Sequence, residues 1–472
     1  MAGKRLHFTT LGCPKNRVDS EIMLGHLAED GYALTGEPDE ADVMVLNTCG
    51  FIDEAKEESV ETIMAMVRMK EARPDLKLVV AGCLVQRHAE ELAKEIPEVD
   101  HYLGTGAYED VVTVLRRSEP EASVKVRSPE FLNDAAQPRL NSFLPHSAYV
   151  KISEGCDQRC GFCVIPSLRG LQRSRSIEDV ELEARALAER GVVELNLIAQ
   201  DLTGYGIDQI PKVHLADLLA RLVEVDLLWV RLHYLFPRRL PERFFEVLGH
   251  ERIAPYIDMP LQHASDPVLK RMRRGPRSTI DKSLDRLRAA RPDAAVRSSF
   301  IVGYPGETDA DFQTLCDFVQ EQDFDHVGVF KFSLEEGTPS YDLEDQVPRE
   351  LVDARHHELM SLLQDRSRER LAKLMGRRLP VLVDGVSSET ELLLEGRRAD
   401  QAPEVDGTVY INDGQAPAGT LVEVEITETF DYDVVGHIVR ELKPAPPRPG
   451  HALLHASSAA RSRGSLRLPV LS

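Results

Sequence analysis

Short apolar runs and longer amphipathic stretches alternate along most of the chain. Runs at 6–11, 42–48 and 76–82 suit strands buried on both faces, and each stops just short of a cysteine: Cys13, Cys49 and Cys83. Helical periodicity fills the intervals at 18–30 and 54–70. In a parallel α/β sheet the functional edge is where the carboxyl ends of the strands emerge. The repeated strand–cysteine pattern therefore predicts that all three cysteines share one rim.

A second series follows a polar stretch at 128–142, with strands expected at 148–153, 193–199, 228–235, 256–261, 296–302 and 327–332. Helices such as 177–190 and 312–321 separate them. Six βα units predict a partial or full barrel, with its chemistry at the C-terminal strand ends. A charged helix at 349–375 runs into Gly376, after which the period shortens to strands at 379–383, 408–411 and 421–426. Gly385, Gly407, Gly414 and Gly419 punctuate them, as in a small β-barrel. The expected fold is α/β: an N-terminal parallel α/β domain (5–120), a linker (121–141), a partial (β/α)6 barrel (142–373) and a C-terminal small β-barrel (376–442). The remainder, 443–472, is rich in Pro, Ala, Ser and Arg and is expected to be a disordered basic tail.

Composition narrows the partners. The chain has 472 residues, 42% hydrophobic and 29% charged, as in globular proteins. Its formal charge of -21 favours a basic partner over a phosphate-rich one, solubility alone being the alternative reading. No apolar run is long enough to span a bilayer, and Lys4-Arg5 leads into no signal-peptide core. The expected compartment is the cytoplasm, where thiols stay reduced.

Six of the seven cysteines form two triplets: the dispersed Cys13, Cys49 and Cys83, and the compact Cys156, Cys160 and Cys163. Iron–sulfur clusters normally take four protein thiolates, so three leave one iron open to a small molecule. Zinc would call for paired C-x-x-C hooks and a fourth ligand; zinc and plain buried thiols remain the alternatives. Cys316 lies at helical spacing from Phe312, Leu315 and Val319 and reads as core.

The run Cys156 to Phe162-Cys163, C-x-x-x-C-x-aromatic-C, resembles the hallmark of the radical S-adenosylmethionine superfamily. With Cys13, Cys49 and Cys83 added, the chain is similar to the methylthiotransferases, which carry a second cluster in an N-terminal domain and end in a TRAM β-barrel. That resemblance implies two 4Fe–4S clusters and S-adenosylmethionine. Cys156, Cys160 and Cys163 would hold the cluster that cleaves the sulfonium to a 5′-deoxyadenosyl radical, with Phe162 near the adenine. Cys13, Cys49 and Cys83 would hold the auxiliary cluster, whose open iron carries the sulfur to be transferred. No further catalytic residue is implied.

The runs at 11–21, 153–156 and 165–170 are similar to the branch that modifies the β-carbon of an aspartate in small-subunit ribosomal protein S-twelve. The other branch modifies isopentenylated adenosine in tRNA. The acidic C-terminal barrel agrees with a basic protein substrate. Expected partners are that ribosomal protein, an electron donor and a sulfur donor, with neither membrane nor direct tRNA contact. A tRNA-modifying enzyme and a non-enzymatic iron–sulfur sensor or electron carrier are the competing readings. Three weaker features stay open between cofactor contact and plain structure. They are the loop 303–308 with Thr308 as a helix cap, His263 at a strand end, and Arg169, Arg173 and Arg175 flanking a helix capped by Ser176.

Overall fold

The computed structural model describes residues 3–116 and 123–447, together with the backbone of 470–471. Its first unit runs β1 (Arg5–Leu11), α1 (Pro14–Glu29), β2 (Ala33–Leu34), β3 (Val43–Thr48), α2 (Asp53–Ala72), β4 (Lys77–Gly82), α3 (Cys83–Glu95), β5 (His101–Leu103), α4 (Val111–Arg116) and β6 (Ser123–Lys125). The strands are parallel, in the order β2-β1-β3-β4-β5-β6. Leu6, Phe8, Val43 and Val45 build the core on one face, and Met44, Leu46, Leu78 and Val80 the core on the other. Burial on both faces is why these strands read as continuous apolar runs. β6 falls inside the stretch expected as linker, and 138–142 then runs across α1. There Arg139 pairs with Glu21 and with Glu183 of the next unit.

The second unit contains β7 (Ser147–Lys151), β8 (Ser153–Glu154), α5 (Ile165–Arg169), β9 (Arg173–Ser174), α6 (Ile177–Glu189), β10 (Glu194–Ile198), α7 (Leu215–Leu222), β11 (Trp229–Leu232), α8 (Glu242–Leu248), β12 (Tyr256–Asp258), α9 (Asp266–Arg271), α10 (Arg277–Ala290), β13 (Ala295–Val302), α11 (Asp309–Gln322) and β14 (His326–Lys331). β7, β10 and β11 form one parallel sheet and β12, β13 and β14 another, joined by a bridge from Val230 to Ile253. The result is the expected six-stranded partial barrel. β8 and β9 form a small antiparallel pair outside it.

The helix α12 (Arg349–Ala372) leads to a closed barrel of β15 (Arg378–Val386), β16 (Leu394–Arg397), β17 (Val409–Asp413), β18 (Leu421–Thr429) and β19 (Val434–Lys443). A final β20 (Val470–Leu471) pairs in parallel with Thr10 and Leu11. The rest of the expected tail, from 448, lies outside the described residues. No described helix is long and apolar enough to cross a membrane.

The three units are joined through the inside of the partial barrel. Side chains alternate along a strand, so Ser147, Tyr149 and Lys151 of β7 all face inward, and each meets a different element. Ser147 donates to Glu194, which also accepts from Arg231 (2.9 Å) and from Arg397 of β16 (2.8 Å). Tyr149 reaches the Pro403 carbonyl, in the loop between β16 and β17. Lys151 reaches Asp19 of α1. The same 398–408 loop takes hydrogen bonds from Arg231 at Ala399, His326 at Asp400 and Tyr256 at Asp406. Its Glu404 is held by both carboxylate oxygens on Arg17 of α1. The small barrel thus plugs the larger one and touches the N-terminal unit.

Glu194 is fully buried. Burial opposes its charge, but Arg397 and Arg231 overcome this and hold the carboxyl well below the usual range. Its stabilisation is therefore complete above the unfolded value near 4.5 and falls away only in acid. Glu194→Gln leaves two buried guanidiniums short of charge. It should cost about 3–5 kcal/mol, read as a lower denaturation midpoint and as easier proteolysis between α12 and β15.

Candidate functional site

Cys13 is the cap residue of α1, Cys49 follows β3 directly, and Cys83 is the first residue of α3. The strand–cysteine pattern therefore does place all three at the C-terminal rim of neighbouring strands. Gly12 has φ +85°, and a Cβ there would stand 2.8 Å from the Cβ of Cys49, so only glycine lets the first two cysteines approach. Cys83 is buried; its thiol faces Asn16 Oδ1 at 3.8 Å and the Arg169 guanidinium at 3.4 Å.

Cys156, Cys160 and Cys163 lie in the single loop from β8 to α5. Gly155, at φ +77°, packs where a Cβ would stand 2.1 Å from the Leu171 carbonyl, and Cys156 N–H donates to the Gly170 carbonyl. Gly161 is held on both sides: its N–H bonds Met272 and its carbonyl accepts from Ser340. The Gln158 N–H lies 3.4 Å from Cys156 Sγ, and Arg274 lies 3.7 Å from Cys160 Sγ. Phe162 packs with Val268, Met272 and Tyr304, an apolar wall beside the loop.

The two triplets lie on segments that pack together. Cys83 packs with Val164 and Leu168, on the segment that begins directly after Cys163. Beneath this contact lies a fully internal charge network. Lys151 Nζ donates to Asp19 (2.5 Å) and to Glu154 (2.6 Å). Arg169 donates to Asp19 (2.6 Å), to Glu154 and to Asn16. Burial opposes ionisation of Glu154, yet Lys151 and Arg169 lower its carboxyl to about 2. On the far side Glu335 binds Lys56 of α2 and Arg87 of α3, so the N-terminal unit is fastened over the barrel mouth at two places.

Three thiols on one rim and three in one loop are donor sets that suit iron–sulfur clusters, which spread their thiolates over separate irons. Burial pushes the Cys49 thiol up to about 12, with Cys83 and Cys13 adding to the shift. Burial does the same to Cys163, up to about 12, where Cys160 and Cys156 add to it. A cationic metal centre would stabilise such mutually raising sulfurs as thiolates.

Each of the open features has a structural role. Thr308 and Asp311 form a capping box, and His263 is buried with Nδ1 accepting the Ser265 N–H. Ser176 caps α6, and Cys316 is core. Arg175 binds Asp179 and Glu183, while Arg173 donates to backbone carbonyls. Arg169 is a buried tie between Cys83 and the Asp19–Glu154 carboxylates. Asn16, Asp19 and Lys151 were missed, although a lysine inside the apolar run 148–153 was a readable signal.

The C-terminal barrel's acidity is partly used internally. Glu423 pairs with Arg440, Glu425 with Arg378 and Asp431 with Arg368. Glu391, Asp413 and Glu428 are exposed and have no ion-pair partner among the described residues.

Residues 5–104 match the family described as "Uncharacterized protein family UPF0004", 150–319 the "Radical SAM superfamily" and 375–439 the "TRAM domain". A protein called "Ribosomal protein uS12 methylthiotransferase RimO" from a strain of Anaeromyxobacter sp. is 54% identical over 95% of this chain and 97% of its own. Proteins of the same name from Myxococcus xanthus and Geobacter sulfurreducens are 49% identical (99% and 98% covered) and 45% identical (93% and 99% covered). TsrM, a radical S-adenosylmethionine methyltransferase from Kitasatospora setae, shares the fold with a TM-score of 0.53 at 13% identity, over 80% of this chain and 76% of that one. With relatives of this name matched over nearly the whole length of both chains, the chain belongs to the RimO family of radical S-adenosylmethionine methylthiotransferases.

Proposed function

We propose that this chain methylthiolates ribosomal protein uS12 at the β-carbon of an aspartate, in the cytoplasm, with residues 5–120, 142–373 and 376–442 as its working modules. The observation that carries the reading is the packing of Cys83, from one incomplete cysteine triplet, on the segment that directly follows Cys163 of the other, in a chain with near-full-length kinship to uS12 methylthiotransferases. Cys156, Cys160 and Cys163 would hold the 4Fe–4S cluster that binds S-adenosylmethionine, and Cys13, Cys49 and Cys83 a second. When bound, these groups supply hydrogen-atom abstraction and the transferable sulfur, as an unactivated C–H bond requires. The reaction also needs an electron donor, a sulfur donor and a second S-adenosylmethionine as the source of the methyl group.

The chain's own residues supply position and exclusion. Phe162, Met272 and Tyr304 keep water from the compact loop. Arg169, held by Asp19, Glu154 and Asn16, fixes Cys83 against the segment after Cys163, so the two sets keep a constant separation. Acidic groups on the small barrel attract a basic substrate.

Mass spectrometry of uS12 before and after incubation tests the assignment: a methylthio mass shift on one aspartate is expected. Methylthiolated tRNA beside untouched uS12 would overturn it. Cys156→Ala should abolish release of 5′-deoxyadenosine, whereas Cys49→Ala should retain that release and lose sulfur insertion. Lowering the pH of the cluster-free protein should loosen the N-terminal unit between about 4.5 and 2, the window in which Glu154 loses its charge advantage. Glu154→Gln should remove that limb of the acid titration. Reversing Glu391 and Glu428 to lysine should slow uS12 association and flatten its salt dependence, while reversing Glu423 and Glu425 mainly breaks local pairs.

A further inference from the structure

The chain's formal charge is -21, yet residues 270–277 hold five cations, Lys270, Arg271, Arg273, Arg274 and Arg277, and no carboxylate. They span the end of α9, the turn after it and the first residue of α10. That turn is built onto the compact cysteine loop. Gly161 N–H donates to the Met272 carbonyl at 2.8 Å, and the Arg274 guanidinium lies 3.7 Å from Cys160 Sγ. Arg274 meets no carboxylate among the described residues. Its other contacts are the Pro260 carbonyl at 2.6 Å and the Phe236 ring at 4.1 Å. Phe236 also carries Arg238, at 5.5 Å. Arg238 in turn lines a cleft of about 300 Å³ with Arg239, Lys282 and Arg286. These contacts link Cys160 to the α10 face through one basic surface.

Internal pairing uses only part of this surface. Arg271 pairs with Asp345, Arg277 with Asp281 and Glu321, Arg286 with Glu242 and Arg238 with Asp201. Arg239, Lys270, Arg273 and Lys282 are exposed and have no ion-pair partner among the described residues. Four unpaired cations on one face of an acidic protein are a complement to an acidic partner. On the cluster reading above, the compact loop must receive one electron before S-adenosylmethionine is cleaved. We infer that this surface docks the donor, a small acidic one-electron carrier protein. The carrier's carboxylates meet Arg239, Lys270, Arg273 and Lys282, and its redox centre faces the Arg274 side of the loop. The carrier is oxidised by one electron, and the cluster on Cys156, Cys160 and Cys163 is reduced by one; no bond is made or broken. A nucleic acid would meet the same cations, but contact with Cys160 favours a redox partner.

Equilibrium binding of an acidic flavodoxin to the anaerobically reconstituted full chain tests this. The second readout is 5′-deoxyadenosine release, driven either by reduced flavodoxin or by dithionite. Arg239→Glu, Lys270→Glu and Arg273→Glu combined leave Arg274 and the cysteines in place. The triple variant should bind flavodoxin about tenfold more weakly at low salt, with a flatter salt dependence. Flavodoxin-driven release should fall in step, while dithionite, a small reductant that needs no docking surface, still supports wild-type release. Lys4→Glu, Lys94→Glu and Lys373→Glu combined change the net charge equally at exposed positions elsewhere. That control should leave both readouts intact. Thermal unfolding and cluster absorbance check that both variants are folded and loaded. Equal loss with dithionite would mean that the surface supports the cysteine loop, and would overturn the inference. Equal weakening in the control would overturn it too. Unchanged flavodoxin binding beside lost affinity for a ribosomal RNA fragment would assign the surface to nucleic acid instead. Wild type that releases 5′-deoxyadenosine with dithionite but does not bind flavodoxin would retire the docking surface alone. Wild type that releases none with either reductant would bring down the radical reading and this inference together.

Discussion

Charge buried inside the partial barrel must be neutralised by protein, because no bulk water is there to do it. Six parallel strands do not close a full barrel, and their inner faces carry Lys151, Glu194, Arg231, Asp258 and Arg297. These groups do not satisfy one another completely. Arg397 and the 398–408 loop come from the small barrel, and Asp19 comes from α1. The chain's three-part architecture is therefore held by a column of ion pairs beside the apolar seams that join α1 to the barrel at Val18, Ile22 and Phe143 and the two barrels at Trp229 and Leu382. Its upper end is the network that touches Cys83, so the same electrostatics that assembles the units also sets where the cysteines stand.

The elements legible in the sequence were those whose burial imposes a clean period. β1, β3 and β4 are covered on both faces and announced themselves as apolar runs ending on cysteines. The six barrel strands did so through the helices between them. β5 and β6 are three residues each, too short to establish a period. β16 contains Gly396 and a buried Arg397, and β19 alternates apolar with His437, Arg440 and Lys443. In both, tertiary pairing overrides composition.

At the site, the cysteines were legible because their spacing is itself chemical information. Their supports were not. Asp19 is remote in sequence from Lys151, Glu154 and Arg169, and apart from Lys151 each alone looks like surface charge. Only the fold shows that all four are internal and mutually paired. Arg169 shows the difficulty best, since a residue beside a helix start turned out to bridge two units. The net charge of -21 was similarly informative only in part, because several carboxylates that contribute to it are spent on neighbours inside the molecule.

The loop between β16 and β17 has an evolutionary consequence. A small terminal barrel on the end of a long helix looks like an interchangeable cassette, gained or lost without disturbing the catalytic body. Here the cassette contributes interior wall to its host, and through Glu404 it reaches the same first turns of α1 that carry the cysteine rim. Recombination at the helix boundary would carry over the barrel's outer surface but mismatch the interior partners. The outward loops of the barrel are free to vary independently, while the inward loop and the strands it meets must change in concert.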